Sequence, residues 1–319
     1  MNNYSQRRSA VGVVGATGYA GRELLRRLAA HPGVELVAAM SGARTAEPMD
    51  VAELAPAYRG QLRTQPPDVA AMLAAGAEVV FLATPAEVST TWVEALPRQR
   101  IIDLSGAYRF TNAAVYGWTE KNRGAIIPAR LVANPGCYAT AANIALWPLI
   151  RAGVIAAENV ICDAKSGASG AGRGLRDDLH FVELASNCKA YGVYTHRHAP
   201  EIASQTGADL PTFAFSAHLL PTERGILATL YVNLKKPDLA AAYERAYAGH
   251  PFVRLRGARL PELNDVVGTN FCDLGWVVRA DERQAIVVSC LDNLVKGAAG
   301  QAVQNFNLMT GWPEETALL

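Results

Sequence analysis

Cys137 is the residue of this sequence best placed to do chemistry, because it follows a tight turn and precedes an apolar helical pattern. Pro135 and Gly136 form the turn, and the pattern of residues 141–152 predicts a helix rich in Ala, Leu and Ile. A helix N-terminus favours a negative charge, so a thiol there ionises more easily than an ordinary cysteine thiol. The position therefore indicates a nucleophile, with a small buried hydrophobe as the alternative.

Two histidines farther along the chain could serve such a thiol as base and proton donor. His196 and His198 flank Arg197 just before a helix predicted to begin at Pro200, and either could take this role. A pair of surface histidines is the plainer interpretation. A metal site would need scattered cysteines as further ligands and would compete for Cys137, so we predict no metal.

A glycine-rich turn near the start of the chain has the features of a dinucleotide site. The strand of residues 11–14 leads directly into the turn, and leucines at helical spacing follow in residues 22–31. Glycines let the backbone approach a pyrophosphate closely, and the helix N-terminus faces its charge. The residues expected to form this site are Gly15, Thr17, Gly18, Tyr19, Ala20 and Gly21.

The end of the second predicted strand, residues 34–40, indicates which dinucleotide binds. An NAD site usually has an acidic residue there, whereas an arginine accommodates the 2′-phosphate of NADP. Ser41 and Arg44 occupy this position, and Glu35 lies at the opposite end of the strand. The sequence therefore favours NADP, with a solvated loop arginine as the alternative.

Two further segments are expected to approach a ligand. Arg109 follows a strand of residues 100–104, and ligands collect at the carboxyl ends of strands in an open α/β sheet, so this side chain is a candidate anion contact. The loop of residues 166–173 follows a strand of residues 160–165 and contains three glycines and two serines. Such a composition indicates backbone passing close to a ligand, or simply a flexible loop.

Length and composition exclude several classes of protein. The 319 residues suit two domains, and the balance of 30 basic against 29 acidic residues shows no basic stripe for nucleic acid. No run of 18 apolar residues predicts a membrane span. Five cysteines without close pairs argue against a disulfide framework and for a reducing compartment, so we expect the cytoplasm.

The order of the elements predicts an α/β protein of two domains. Residues 1–136 read as a Rossmann-type dinucleotide domain, completed by the C-terminal helical segment 292–319, in which residues 292–308 are predicted to form a helix. Residues 137–291 contain long strands with few helices, which is typical of an α+β catalytic and oligomerisation domain with a mostly antiparallel sheet.

The chain resembles the N-acetyl-γ-glutamyl-phosphate reductases, within the wider aspartate-semialdehyde dehydrogenase group. Matching motifs run in order along nearly the whole chain. They are GATGYAG at 15–21, LSGAYRF at 104–110, NPGCY at 134–138, KSGASGAGR at 165–173, HRHAPE at 196–201, HLLP at 218–221, RGIL at 224–227 and DNLVKGAAGQ at 292–301. Two departures are Ala139 and Thr119, where family members often have proline.

The resemblance implies NADPH-dependent reduction of an acyl phosphate to an aldehyde through a thioester on Cys137. It also implies that Arg109 and Asn134 hold the leaving phosphate, and that Asn293, Ser166 and Gly167 lie beside the cofactor. Of the two histidines, His198 is our first choice as the proton partner and His196 the second. A homodimer or homotetramer acting on a small-molecule substrate is expected. No nucleic acid or membrane partner is expected.

Three alternatives to this function remain open at the level of sequence. The nearest is the homologous reductase of an aminoadipyl phosphate, whose substrate is one methylene longer and could be carrier-bound. Short-chain epimerases share the glycine turn but need a Tyr-x-x-x-Lys helix, and the one such spacing, Tyr231 to Lys235, lies in a predicted strand. A non-catalytic NADP sensor would not need Cys137 and the histidines.

Overall fold

The described residues fall into two compact units. The computed structural model describes residues 7–42 and 47–319. The first unit comprises the described residues up to Pro135 together with Ala298–Leu319, and the second comprises Gly136–Gly297.

The first unit contains a parallel sheet. Its elements are β1 (Ser9–Val14), α1 (Tyr19–Ala29), β2 (Val34–Met40), α2 (Val51–Leu54), α3 (Val69–Ala74), β3 (Val79–Leu82), α4 (Ala86–Ala95), β4 (Arg100–Asp103), β5 (Val115–Tyr116), α5 (Thr119–Ile126) and β6 (Leu131–Ala133). The strand order is β2-β1-β3-β4-β6-β5, and every neighbouring pair is parallel. Parallel strands are covered on both faces, which explains why β3 reads as an uninterrupted apolar run and is wholly buried.

The second unit contains a mixed sheet. Its elements are α6 (Cys137–Arg151), β7 (Ile161–Gly167), α7 (Phe181–Leu184), β8 (Lys189–Tyr191), α8 (His198–Thr206), β9 (Ala214–Leu220), β10 (Ile226–Asn233), α9 (Leu239–Tyr247), β11 (Val253–Gly257), β12 (Cys272–Val278) and β13 (Gln284–Leu291). The order is β11-β12-β13-β10-β7-β9-β8. The pairs β11·β12 and β7·β9 are parallel and the other four are antiparallel, which confirms the predicted α/β class with a mostly antiparallel second sheet.

The C-terminal segment opens with a π-helical turn, Val295–Ala299, and continues as α10 (Gly300–Thr310). The wide turn begins where the Gly297 N–H donates to the carbonyl of Asp292, five residues earlier. Helix α10 packs against α1 and α5 of the first unit. Its residues 300–309 are all buried.

Among the elements whose bounds differ from the sequence predictions, four carry residues that were singled out above. Helix α6 begins at Cys137 rather than at 141, because Gly136 supplies the extended N-cap conformation directly before it. Helix α8 begins at His198, two residues before Pro200, since a proline is tolerated in the first helical turn. Ser166 and Gly167, predicted in a loop, are the last residues of β7 because they continue its pairing with β9. The predicted helix of residues 292–308 instead starts with the π-helical turn.

No helix among the described residues is long and apolar enough to cross a membrane.

Candidate active site

Cys137 is the first residue of α6, in the second unit. Gly136 forms the N-cap without a side-chain hydrogen bond, and its backbone N–H donates to Oε1 of Glu201 at 2.9 Å. The Glu201 side chain belongs to α8 and is 1% exposed. This hydrogen bond therefore joins the start of the cysteine helix to the helix that begins with His198.

The space beside Cys137 is kept open by a glycine. A Cβ added at Gly297 would lie 2.8 Å from the Cβ of Cys137, which is closer than real Cβ atoms come. Any larger residue at 297 would therefore displace the cysteine.

A cavity of about 260 Å³ brings the predicted nucleophile and both histidines together within the second unit. Cys137 is half-buried, and Ser166, His196 and His198 line the same cavity. Other polar lining residues are Tyr138, Arg176, Asp178, Lys189, Tyr191 and Arg197. The arrangement offers a thiol, imidazole groups and cations to one small molecule.

The two histidines differ in burial and in their hydrogen bonds. Burial, and secondarily the nearby Arg197 charge, lowers the pKa of His196 to about 4, so this ring is neutral near pH 7. Its Nδ1 accepts a hydrogen bond from the backbone N–H of His198 at 3.1 Å, which leaves the proton of the neutral ring on Nε2. His198 is 4% exposed, and the two ring centroids are 4.8 Å apart. His196 thus contacts and orients its neighbour.

Two tyrosines form a neutral wall of the cavity. The hydroxyl groups of Tyr138 and Tyr191 lie 3.1 Å apart, and the Tyr138 ring contacts both histidine rings edge-on. Burial, followed by the neighbouring Tyr191, raises the pKa of Tyr138 well above its ordinary value. Burial also raises the pKa of Tyr191. Both hydroxyls therefore remain protonated as hydrogen-bonding groups.

Ser166, Gly167 and Asn293 come together at the end of β7. A Cβ at Gly167 would lie 2.6 Å from the Arg224 backbone nitrogen, so glycine is needed for this close approach. Asn293 accepts from the Gly225 N–H at 2.7 Å and donates from Nδ2 to Ser169 Oγ at 2.9 Å. Its amide therefore holds two loops together, and its contact with the cofactor stays a prediction.

The predicted dinucleotide turn lies between β1 and α1, in the first unit. Gly15 has φ of +85°, and a Cβ added there would lie 2.2 Å from the Ala83 carbonyl oxygen. A Cβ at Gly21 would lie 2.1 Å from the Gly15 carbonyl oxygen. Gly18 forms the N-cap without a side-chain bond, and Tyr19 and Ala20 open the helix with no acidic residue in its first turn. The backbone is thus shaped to receive an anion at the helix N-terminus, as a dinucleotide pyrophosphate requires.

The residues expected to select NADP are only partly described. Thr17 Oγ1 and Ser41 Oγ lie 2.8 Å apart, which links the glycine turn to the end of β2. Arg44 lies outside the described residues.

Arg109 and Asn134 meet within the first unit. Arg109 is 9% exposed, and it donates from Nε to the Asn134 carbonyl at 2.9 Å and from Nη2 to the Leu104 carbonyl at 3.0 Å. The Asn134 side chain donates to the Ala298 carbonyl and accepts from Asn305, both at 3.1 Å. These bonds fix the chain before Pro135, and the contact of Arg109 and Asn134 with a phosphate stays a prediction.

Several residues of the cavity, and Glu201 behind the cysteine helix, were not singled out from the sequence. Tyr138 and Glu201 stood inside the quoted motifs, so those motifs were the available signal. Arg176, Asp178 and Lys189 lie in a stretch of short turns and strands without regular periodicity, and no sequence pattern indicated them. Within residues 7–42 and 47–319, no group of three His, Cys, Asp or Glu side chains is arranged to hold a metal.

Both units match known protein families. Residues 10–129 match the family described as semialdehyde dehydrogenase, NAD binding domain, and residues 137–293 match semialdehyde dehydrogenase, dimerisation domain. The first unit is therefore a nicotinamide dinucleotide domain, in agreement with its glycine turn.

Solved structures of aspartate semialdehyde dehydrogenases share the fold. Enzyme II of Vibrio cholerae, in complex with ASA, superposes with a TM-score of 0.76 at 18% identity, covering 96% of this chain and 99% of that one. The NADP complex from Candida albicans gives a TM-score of 0.68 at 13% identity, with coverage of 95% and 98%.

Closer relatives in sequence carry a more specific name. The N-acetyl-gamma-glutamyl-phosphate reductases of Symbiobacterium thermophilum and Nitrosospira multiformis are each 43% identical to this chain, covering 97% of both chains. That of Geobacillus stearothermophilus is 41% identical with the same coverage. The resemblance predicted from the motifs is confirmed, and the chain belongs to the N-acetyl-γ-glutamyl-phosphate reductase family of semialdehyde dehydrogenases.

Proposed function

We propose that the protein reduces N-acetyl-L-glutamyl 5-phosphate to N-acetyl-L-glutamate 5-semialdehyde with NADPH, through a thioester on Cys137. The observation that carries the proposal is the single cavity shared by Cys137, His196 and His198, in a chain whose 43% identical relatives bear this activity's name. The aminoadipyl alternative has no comparable support among these relatives.

The first chemical step is assigned to the cysteine helix. The thiolate of Cys137 attacks the acyl carbon, a carbon–sulfur bond forms, and the bond to the phosphate oxygen breaks. The position at the N-terminus of α6 stabilises the thiolate before attack. His198 takes the thiol proton as base, and the resulting imidazolium can protonate the departing phosphate.

The second step needs a hydride, which a bound nicotinamide supplies. Hydride transfer reduces the thioester carbon, and the carbon–sulfur bond then breaks. The aldehyde is released, and Cys137 returns to its thiolate form. His196 is assigned a positioning role because a pKa of about 4 leaves its ring unprotonated and weakly basic near neutral pH.

The choice of NADP and the phosphate contact rest on the sequence motifs. Ser41 and Arg44 stand where an NAD enzyme usually has an acid. Replacing Arg44 by Asp should raise the Michaelis constant for NADP far more than that for NAD. Equal use of both cofactors by the unaltered protein would remove the basis for a 2′-phosphate site.

Arg109 and Asn134 are assigned to the leaving phosphate as the family motif implies.

Oligomerisation is proposed through the open face of the seven-stranded sheet. Four apolar side chains that are 40–48% exposed form one cross-strand row over β7, β10, β13 and β12, because each is the register partner of the next. The row is Ile161, Tyr231, Ile286 and Val277. A second copy of this chain is the proposed occupant, which fits the dimerisation-domain family that residues 137–293 match.

The reaction is tested most directly in the reverse direction. Purified protein is given NADP, inorganic phosphate and N-acetylglutamate semialdehyde, and NADPH formation is compared with that from the aldehyde one carbon longer. The shorter aldehyde should have the higher kcat/KM, and activity should require phosphate. Preference for the longer aldehyde would transfer the assignment to the aminoadipyl reaction.

A further inference from the structure

The cavity that holds Cys137 also contains a group of charges that the reaction steps above do not use. Arg176 and Asp178 belong to the short turn before α7, and Lys189 is the first residue of β8. All three line the cavity. They are therefore available to a molecule that occupies it.

One carboxylate holds both cations in place. The Arg176 guanidinium donates from Nε to Asp178 Oδ1 at 2.9 Å and from Nη2 to Oδ2 at 2.8 Å. Lys189 Nζ donates to the same Oδ2 at 2.9 Å and to the Asp178 carbonyl at 3.2 Å. These hydrogen bonds, Arg176 first, hold the pKa of Asp178 below its ordinary value, so it stays ionised.

The charges of this group do not cancel. Two cations share one carboxylate, so the trio keeps one net positive charge facing the cavity. The side chains of Arg176, Asp178 and Lys189 are 53%, 38% and 34% exposed. Ion pairs this exposed contribute little to folding stability, so stability alone does not account for the arrangement.

We propose that Arg176 and Lys189, held by Asp178, bind the α-carboxylate of the substrate. This inference rests on the proposed function, because that substrate carries one carboxylate besides its phosphate. A net charge of one matches a carboxylate better than a doubly charged phosphate. Because Asp178 already orders both long side chains, binding costs less side-chain entropy than two mobile cations would require.

The test removes the carboxylate from the ligand and the cations from the protein. Arg176→Met and Lys189→Met are each assayed in the reverse reaction with N-acetylglutamate semialdehyde and with 4-acetamidobutanal, which lacks only the carboxylate. Each variant should raise the KM for the first aldehyde by about 10–100-fold, as expected for loss of a charged hydrogen bond. The kcat/KM for 4-acetamidobutanal should stay unchanged.

The remaining outcomes separate this inference from the function on which it rests. Lys236→Met, an exposed lysine outside the cavity, is the matched control and should leave both aldehydes unaffected. An equal loss on both aldehydes, or a raised KM for phosphate alone, would overturn carboxylate binding and leave the reaction intact. If the unaltered protein fails to oxidise N-acetylglutamate semialdehyde, the proposed function falls and this inference with it.

Discussion

Cys137 differs from the other four cysteines in its surroundings. Cys162, Cys272 and Cys290 are buried, and burial raises the pKa of Cys162 to about 12. Burial also raises the pKa of Cys290. Cys188 is exposed but has no helix N-terminus beside it, because it lies between α7 and β8. Only Cys137 combines access with a helix start among these five.

This contrast predicts the labelling pattern of the thiols. In a Cys188→Ala background, iodoacetamide should modify Cys137 well before the three buried cysteines, since the thiolate is the reactive form. Cys137→Ser should retain cofactor binding and lose nearly all turnover, because a hydroxyl stays protonated near neutral pH. Mass spectrometry of the labelled peptides measures the order of modification, and steady-state assays measure the turnover. Substantial activity in Cys137→Ser would contradict the covalent mechanism.

A second prediction at this scale concerns the proton partner. His198→Asn should lower the rate by about 10²–10⁴-fold if this imidazole transfers protons. His196→Asn should cost less, because the neutral His196 ring only accepts the His198 backbone N–H. The pH dependence of kcat/KM distinguishes the roles, since a base must be unprotonated to act and the acidic limb should therefore vanish only in the His198 variant. A larger loss on replacing His196 would reverse the assignment.

Glu201 carries a third prediction, because its carboxylate is the acceptor for the Gly136 N–H in front of Cys137. Glu201→Ala leaves that buried donor without its acceptor, which costs about 1–3 kcal/mol. Turnover and Cys137 labelling should both slow. Glu201→Gln keeps an acceptor oxygen at the same place, so this variant should retain most of the turnover and most of the Cys137 labelling rate. Equal behaviour of the two variants would show that the hydrogen bond does not position the thiol.

At the scale of elements, the sequence predicted what local patterns determine. The strand, glycine turn and helix at β1 and α1 follow one another in the chain, and β2 was predicted with its observed bounds. Short elements defined only by distant partners were not predicted. Strand β6 is three residues long and is fixed by insertion between β4 and β5. The cavity residues Arg176 and Lys189 share Asp178 across an irregular segment, which no periodicity reveals.

The junction between α1 and α10 predicts a pH effect. His31, just after α1, is 4% exposed; its Nδ1 accepts the Gly33 N–H at 3.0 Å and its Nε2 bonds Asn307 Oδ1 at 2.8 Å. Burial lowers the pKa of His31, only partly opposed by the Asn307 bond, so the folded protein favours the neutral ring. Its stabilising contribution is therefore complete above about pH 6.5 and falls as the pH drops through the lowered folded-state pKa.

Hydrogen exchange of α10 measures this effect. After correction for intrinsic exchange, the opening free energy of α10 amides should fall below pH 6.5, by at most about 1.4 kcal/mol per pH unit. His31→Gln should flatten that dependence, whereas replacing the exposed His180 by Gln should not. Identical pH profiles for the unaltered protein and His31→Gln would rule out this histidine as the source.

At the scale of the whole molecule, the exposed row on the second sheet is the proposed interface between two copies of the chain. Ile286→Asp places a charge in the middle of the row, beside both Tyr231 and Val277. If a second copy covers this face, the variant should sediment as a smaller species while its secondary structure is retained. An Asp at exposed Leu260, outside the row, serves as the control. An unchanged sedimentation coefficient for Ile286→Asp would exclude this face as the interface.

The division of the first unit into two chain segments has a consequence for its synthesis on the ribosome. Its parallel sheet is encoded before Pro135, but α10, with residues 300–309 buried and Phe306 against Phe81, is translated only after the whole second unit. At typical elongation rates of about 5–20 residues per second, the delay is on the order of ten seconds. During that interval the nascent sheet exposes the apolar surface that α10 later covers. A chaperone that binds apolar surface therefore finds its largest target on this unit before α10 is translated.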